Sequence, residues 1–442
     1  MRSLANFFKP SLHRSILFIA GPMILSNLTS PIMGLVDTAV LGHLDATYYL
    51  AGASVSALFI TQLYWLCGFL RMTSTGLSAQ AKGQQDSLKA TQTLLQGIVL
   101  SLLIAAVILA SQSLWLELVL VLANAQQQVA DVIRDYFSVR IWGAPAALTN
   151  LVLIGWLIGQ QRAKTVLWIQ VVGNLINALL SISLVVYWQL DVSGVALATV
   201  IAEYSITGLS LWSIRKLLPA YSIDLQWFKF AQLRQLLALN GHSFVRNITL
   251  QLCLAFLVFQ GMRFGATSAA VNAILLQFFS LIALGLDGVA YSAEALVGEQ
   301  QGKKSAWGIA SVTSQSLLWS LGFAFSYSLI FYVFGDGIVA LLTTHADLQM
   351  AASDYLPIIA LLPLFAHWCF LLDGVFIGLT RARAMQNSML ISALLVYVPL
   401  WFLFRSMGNQ GLWLALLGFL LARGISLGVY FIYLYRIKRL VV

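Results

Sequence analysis

The chain has 442 residues, 60% of them hydrophobic and only 9% charged, with a mean hydropathy of +0.86. No water-soluble fold carries that much apolar surface at this length. Apolar runs long enough to span a bilayer recur from about Ser15 to about Tyr435, which excludes a single anchor, a signal peptide ahead of a soluble domain, and a β-barrel. The +9 balance, 25 basic against 16 acidic residues, lies between the apolar runs and reads as topology, not as a nucleic-acid surface.

Cutting at the polar breaks predicts twelve spans, over 15–39, 49–79, 89–112, 130–159, 164–187, 193–214, 240–262, 268–297, 308–335, 350–379, 385–405 and 411–435. Alternate loops collect the Lys and Arg residues, 18 on one side against Arg263 and Arg405 on the other. That places both termini in the cytoplasm. The expected fold class is therefore an all-α integral membrane protein.

The chain also repeats at half its length. Gly155 and the run Ile158 to Lys164 answer Gly374 and the run Ile377 to Arg383 at an offset of 219, as do Leu77 to Gly83 and Leu296 to Gly302. Gly194 to Ala198 matches Gly411 to Ala415 at 217. An even number of spans per repeat gives two pseudo-symmetric six-helix lobes of parallel topology. The expected boundaries are an N-terminal lobe over 1–215, a cytoplasmic linker over 216–238 and a C-terminal lobe over 239–442. The linker is amphipathic, with Trp227, Phe228 and Phe230 beside Lys229 and Arg234, as suits an interfacial segment.

Two lobes around a cleft is an architecture for alternating access, so a transporter is the leading class. Ionisable residues inside spans are then the informative ones. Asp37 closes the first span after Pro22 and Pro31, two residues that remove backbone bonds and permit bending. No Lys or Arg follows it in the outer loop. Burial favours the neutral form of a carboxyl, making Asp37 a candidate proton carrier. A carboxylate capped by polar neighbours is the plainer reading. In the second lobe Asp287, Tyr291 and Glu294 share one helical face, with Arg246 in the seventh span and Asp373 in the tenth. Arg246 can neutralise one of these acids, which favours a structural network. Glu203 near the centre of the sixth span has Arg71 and Arg140 available as partners.

Cys67, Cys253 and Cys369 stand apart inside apolar segments, so no redox pair or zinc spacing exists. No catalytic triad, metal motif or phosphate loop occurs, so no enzyme, metal or cofactor is expected.

Several segments together resemble the multidrug and toxic compound extrusion (MATE) transporters, and within them the bacterial DinF branch. They are Pro22 with Val36-Asp37-Thr38, Gly194 to Tyr204, Asn240 with Arg246, Asn272 to Leu276, Leu286 to Tyr291, and Leu372 to Gly378. The resemblance covers all twelve spans. It implies the MOP-type fold and a cation-driven exporter of cationic or amphiphilic drugs in the bacterial inner membrane, a monomer whose partners are drugs, the coupling ion and membrane lipids, with no nucleic acid. It implies further that Asp37 works with Tyr136, Asn177, Ser181 and Thr199, with Asn174 one turn before Asn177. Read by residue type alone, Tyr136 is equally an interfacial anchor, and Asn174, Asn177 and Thr199 are equally helix-packing residues. Ser181 stands where many relatives carry an Asp. With one carboxylate fewer, the site suits a proton better than sodium, and the expected function is drug/proton antiport. Sodium-coupled export and lipid-precursor flipping are the alternatives.

Overall fold

The computed structural model describes residues 10–44, 46–218 and 224–441. Arg2 and Lys9 of the charge count, and residues 219–223 of the linker, lie outside the described residues. Among those described, all regular structure is helical, and twelve helical segments are long and apolar enough to cross a membrane. A bilayer leaves the chain little choice, because every backbone N–H and C=O in hydrocarbon must be satisfied within its own segment.

The first span is α1 (Pro10–Gly42) and the second is α2 (Thr47–Leu66) with α3 (Phe69–Gln84). Next come α4 (Ser87–Ala110), the short α5 (Gln112–Ala123), and a fourth span built of α6 (Gln127–Arg140) and α7 (Ala144–Gly159). α8 (Ala163–Ile182) and α9 (Asp191–Arg215) complete the first repeat. The second repeat runs α10 (Phe230–Arg263), α11 (Ala266–Gly302), α12 (Ala306–Leu342), short α13 (Ala346–Ser353), α14 (Leu356–Gly378), α15 (Ala382–Ser392), α16 (Val398–Phe404) and α17 (Asn409–Arg436).

The spans fall where hydropathy puts them, with two adjustments. The tenth begins at Leu356 and not at 350, because Ala346–Ser353 forms a helix of its own and Pro357 sits in the first turn of the next. Proline is favoured there, where no N–H is needed. The seventh helix begins at Phe230, so the last part of the expected linker is already helical. Upstream of it the side-chain amide of Gln96 donates to the backbone carbonyl of Trp227 at 2.7 Å, tying the linker to α4.

The repeat holds at the level of single atoms. A Cβ on Gly155 would stand 2.4 Å from the carbonyl oxygen of Arg71, and one on Gly374 would stand 2.6 Å from that of Ala290. Arg71 and Ala290 are themselves 219 apart. One turn on, Gly159 lies against Thr75 and Ala79, and Gly378 against Glu294 and Gly298, again partner for partner. Glycine lets α3 meet α7, and α11 meet α14, backbone to backbone, in the small-residue packing favoured where lipid supplies no hydrophobic drive. The turns repeat too. Gln85 and Lys304 are left-handed (φ 56° and 54°), as are Gln161 and Thr380 (60° and 54°). Asp86 caps α4 by accepting from the backbone N–H of Lys89, and Ser305 caps α12 by accepting from that of Gly308.

By backbone proximity the chain forms two compact units. One comprises Leu25–Leu237; the other comprises Ala238–Val442 together with the chain up to Ile24. The unit boundary thus falls inside the first helix, just beyond Pro22. The helix nevertheless runs unbroken from Pro10 to Gly42. Its first half is received by Gly288 of α11, where a Cβ would meet the Ile24 side chain at 2.3 Å.

Candidate functional site

The polar interior of the Leu25–Leu237 unit gathers on α1, α6, α8 and α9. Asp37, half-buried, accepts a hydrogen bond from the hydroxyl of Ser181 at 3.0 Å. Asn177, one turn back on α8 and fully buried, donates its amide to the hydroxyl of Thr199 on α9 at 3.0 Å, and that hydroxyl donates to the Val195 carbonyl. The carbonyl oxygen of Asn177 has no partner, and neither does the amide nitrogen of half-buried Asn174. Buried polar atoms left open in this way suit an exchangeable guest such as water or a ligand group.

Tyr136 is no interfacial anchor. It is 4% exposed and packs with Leu41, Val132, Val185 and Val195 in an apolar cluster. The structure therefore brings Asp37 to Ser181 and Asn177 to Thr199, and buries Tyr136 in the same unit. Pro22 is half-buried and Pro31 exposed on the same helix.

One turn beyond Tyr136, Arg140 meets Glu203 of α9 through both guanidinium branches, Nη2 to Oε1 at 2.6 Å and Nη1 to Oε2 at 3.0 Å. Of the two arginines the sequence offered to Glu203, the structure selects Arg140. The Tyr64 ring lies 5.3 Å from its Cζ, in cation–π range.

The second unit treats its charges differently. Asp373 on α14 accepts from Arg246 of α10 and from Arg423 of α17, both at 2.5 Å and all three nearly buried. Arg246 meeting Asp373 is the pairing the sequence suggested. Arg423 is the member sequence reading left unassigned, since a partner fifty residues away carries no local signal. Glu294 is 2% exposed, while Asp287 and Tyr291 are half-buried, all on α11. His367, buried on the same helix as Asp373, has neither ring nitrogen partnered. No group of three or more His, Cys, Asp or Glu side chains able to hold a metal ion occurs among the described residues.

Twelve spans in a doubled six-helix plan, with ionisable groups buried inside each repeat, define a membrane transporter and not an enzyme. Comparison with known proteins narrows the class. The MatE family model matches residues 22–183 and again 243–403, once in each repeat. DNA damage-inducible protein F of Escherichia coli is 39% identical over 97% of this chain and 94% of its own. Solved structures described as MATE in the bent and in the straight conformation each superpose with a TM-score of 0.84 over 97% of this chain and 97% and 96% of theirs, at 17% and 16% identity. At that identity the likeness shows the fold alone, and it is the same for both. The chain belongs to the MATE family of multidrug efflux transporters.

Proposed function

We propose that this protein exports cationic or amphiphilic drugs by proton antiport across the bacterial inner membrane, with both termini in the cytoplasm, and that Asp37 carries the proton. The observation that carries the reading is the company Asp37 keeps: a neutral hydroxyl from Ser181, and a second neutral pair, Asn177 and Thr199, beside it. A carboxyl held by neutral groups exchanges its charge for a proton, whereas one clamped by arginine does not. Sodium needs several oxygen ligands held together, and at the position where, by the family resemblance, many relatives carry a second acid this chain has Ser181, which makes the site poorer in negative charge.

In this reading, protonation of Asp37 releases the Ser181 bond and bends α1 in the stretch from Pro22 to Pro31. The site within the N-terminal lobe closes and the drug leaves outward. The description of one MATE structure as bent and another as straight supports two states of this kind. One proton moving inward supplies about 2.3 kcal/mol per 100 mV and about 1.4 kcal/mol per pH unit. Together these sustain roughly a several-hundredfold gradient of a neutral drug.

Asp37→Asn, which mimics the protonated form, tests the assignment. Efflux of a fluorescent cationic drug from proteoliposomes is expected to vanish while the protein remains monodisperse in detergent. Wild-type efflux from that variant would overturn the reading.

A further inference from the structure

Arg140 is a buried cation one turn beyond Tyr136, which clusters with Leu41 one turn past Asp37. Its partner Glu203 stands one turn beyond Thr199 of the same polar group, and no hydrogen bond joins Arg140 to Asp37. Both branches of its guanidinium are taken by Glu203, and the Tyr64 ring covers it. We infer that Glu203 is a positioning residue that withholds Arg140 from Asp37, so that Asp37 stays free to exchange a proton or a cationic substrate. This deepens the proton reading of Asp37 and rests on it.

The fold is shaped to hold the pair. Between α6 and α7 the chain tightens into a 3₁₀ turn at Ile141–Gly143. A Cβ on Gly143 would stand 2.3 Å from Oε2 of Glu203 and 2.5 Å from Nη1 of Arg140. A side chain at that turn would push the two bridging groups from their present place. The backbone at Glu203 is pinned in turn: its carbonyl accepts from the Asn150 amide at 2.9 Å, and the Thr207 hydroxyl, with one hydrogen to share, lies 3.0 Å from that carbonyl and 2.9 Å from the Asn150 side-chain oxygen. The pair sits with side-chain exposures of 9% and 16%. A bidentate bridge of this kind is strong and directional.

Removing the carboxylate would leave a buried guanidinium without a counter-charge, which a protein interior does not tolerate. Asp37, one turn before the Leu41 that clusters with Tyr136, is the carboxylate nearest in the fold to the Tyr136–Arg140 turn on the α1 side. An ion pair between the two would hold Asp37 ionised against both proton and substrate.

The other titratable groups on the surrounding helices are these. α2 brings Tyr64, with Tyr48 and Tyr49 at its start packed on the Leu41–Tyr136 cluster, and the helix break after it Cys67; α6 brings Tyr136, with exposed Asp131, Arg134 and Asp135; α3 brings Arg71 and, in its last turn, Lys82. α9 adds Asp191 in its first turn, Tyr204 beside Glu203 and Arg215 in its last turn; α7 carries none, and α8 only Lys164 in its first turn. α1 itself carries His13 and Arg14 in its first turns, and just past its end His43 bonds the Ala39 carbonyl.

The test is the pH profile of drug efflux from proteoliposomes, at equal amounts of inserted protein. Glu203→Gln is expected to move the profile's midpoint acidward by about one pH unit or more, a tenfold change in proton affinity, with weaker binding of a cationic drug. Glu203→Asp, which keeps the charge but draws it back by one methylene, moves it the same way by about half as much, and serves should the amide variant fail to accumulate. Arg140→Gln combined with Glu203→Gln leaves no charge to withhold and returns the midpoint to within about half a unit of the wild type. A purely structural role would lower the amount of folded protein and leave the midpoint in place. An unmoved midpoint in Glu203→Gln or Glu203→Asp, or a double variant that keeps the acid shift, overturns the inference. Asp37→Asn run alongside separates the two claims. If that variant keeps a wild-type pH profile, the proton reading itself fails; if it loses transport while the Glu203 variants keep their midpoint, only the withholding role does.

Discussion

The two repeats share a backbone and differ in chemistry. Close glycine contacts, left-handed turn residues and helix caps recur at one offset, but the buried charges do not. At the corresponding positions Arg140 faces Ile359, Glu203 faces Leu420 and Asp37 faces Phe256. In the opposite direction Asp373 answers Ile154, and Arg423 answers Ile206. In the first repeat one arginine is satisfied by one glutamate, and a carboxyl is left to a serine hydroxyl. In the second, a single carboxylate is shared by two arginines. Matching scaffolding thus carries an acid bonded to a neutral hydroxyl in one repeat and an acid clamped by two arginines in the other. Buried ionisable groups must be argued from their partners, not from their place in the repeat.

The largest expected effect is at the locked acid. Asp373→Asn strands two buried arginines and should cost about 3–5 kcal/mol of stability, read as a collapse in monodisperse protein and in its thermal midpoint. Asp37→Asn should leave that midpoint nearly unchanged, since it removes one hydrogen-bonded charge that α1 does not need for folding. Equal losses from both variants would erase the distinction between the repeats.

The scaffold should respond symmetrically. Gly155→Ala and Gly374→Ala each drive a Cβ into a facing backbone carbonyl, so the helix pair must separate at a cost of about 1–3 kcal/mol. Both thermal midpoints should fall by similar amounts. A large loss at one glycine and none at the other would show that the two seams carry different loads.

The smallest effect sharpens the picture of the free acid. The Ser181 hydroxyl donates to the ionised form of Asp37, so Ser181→Ala should make protonation easier and move the pH profile of efflux alkaline, by up to about one unit. An acidward shift would mean that the hydroxyl does not serve the charged state.

Much of this was legible in the sequence. Hydropathy located all twelve spans because lipid requires continuous apolar helices, and the 219 offset picked out Gly155 and Gly374 before their contacts were known. Ser181 beside Asp37 was reached through resemblance, not spacing. The breaks inside spans were hidden: the turn at Ile141–Gly143 and the separate α13 follow from packing and proline placement, which hydropathy averages away. Arg423 closing on Asp373, and Arg140 instead of Arg71 meeting Glu203, are tertiary choices between residues far apart in the chain. Tyr136, which residue type alone left open between a site residue and an interfacial anchor, is drawn inside by the α2–α6 packing.

The central claim, that a proton on Asp37 drives export, meets its most direct test in drug efflux from proteoliposomes under two imposed gradients. One preparation has a pH gradient in sodium-free buffer, and the other a sodium gradient with pH clamped equal on both sides. Export in the first and none in the second is the expected result. Robust transport on sodium alone, with none on the pH gradient, would contradict it.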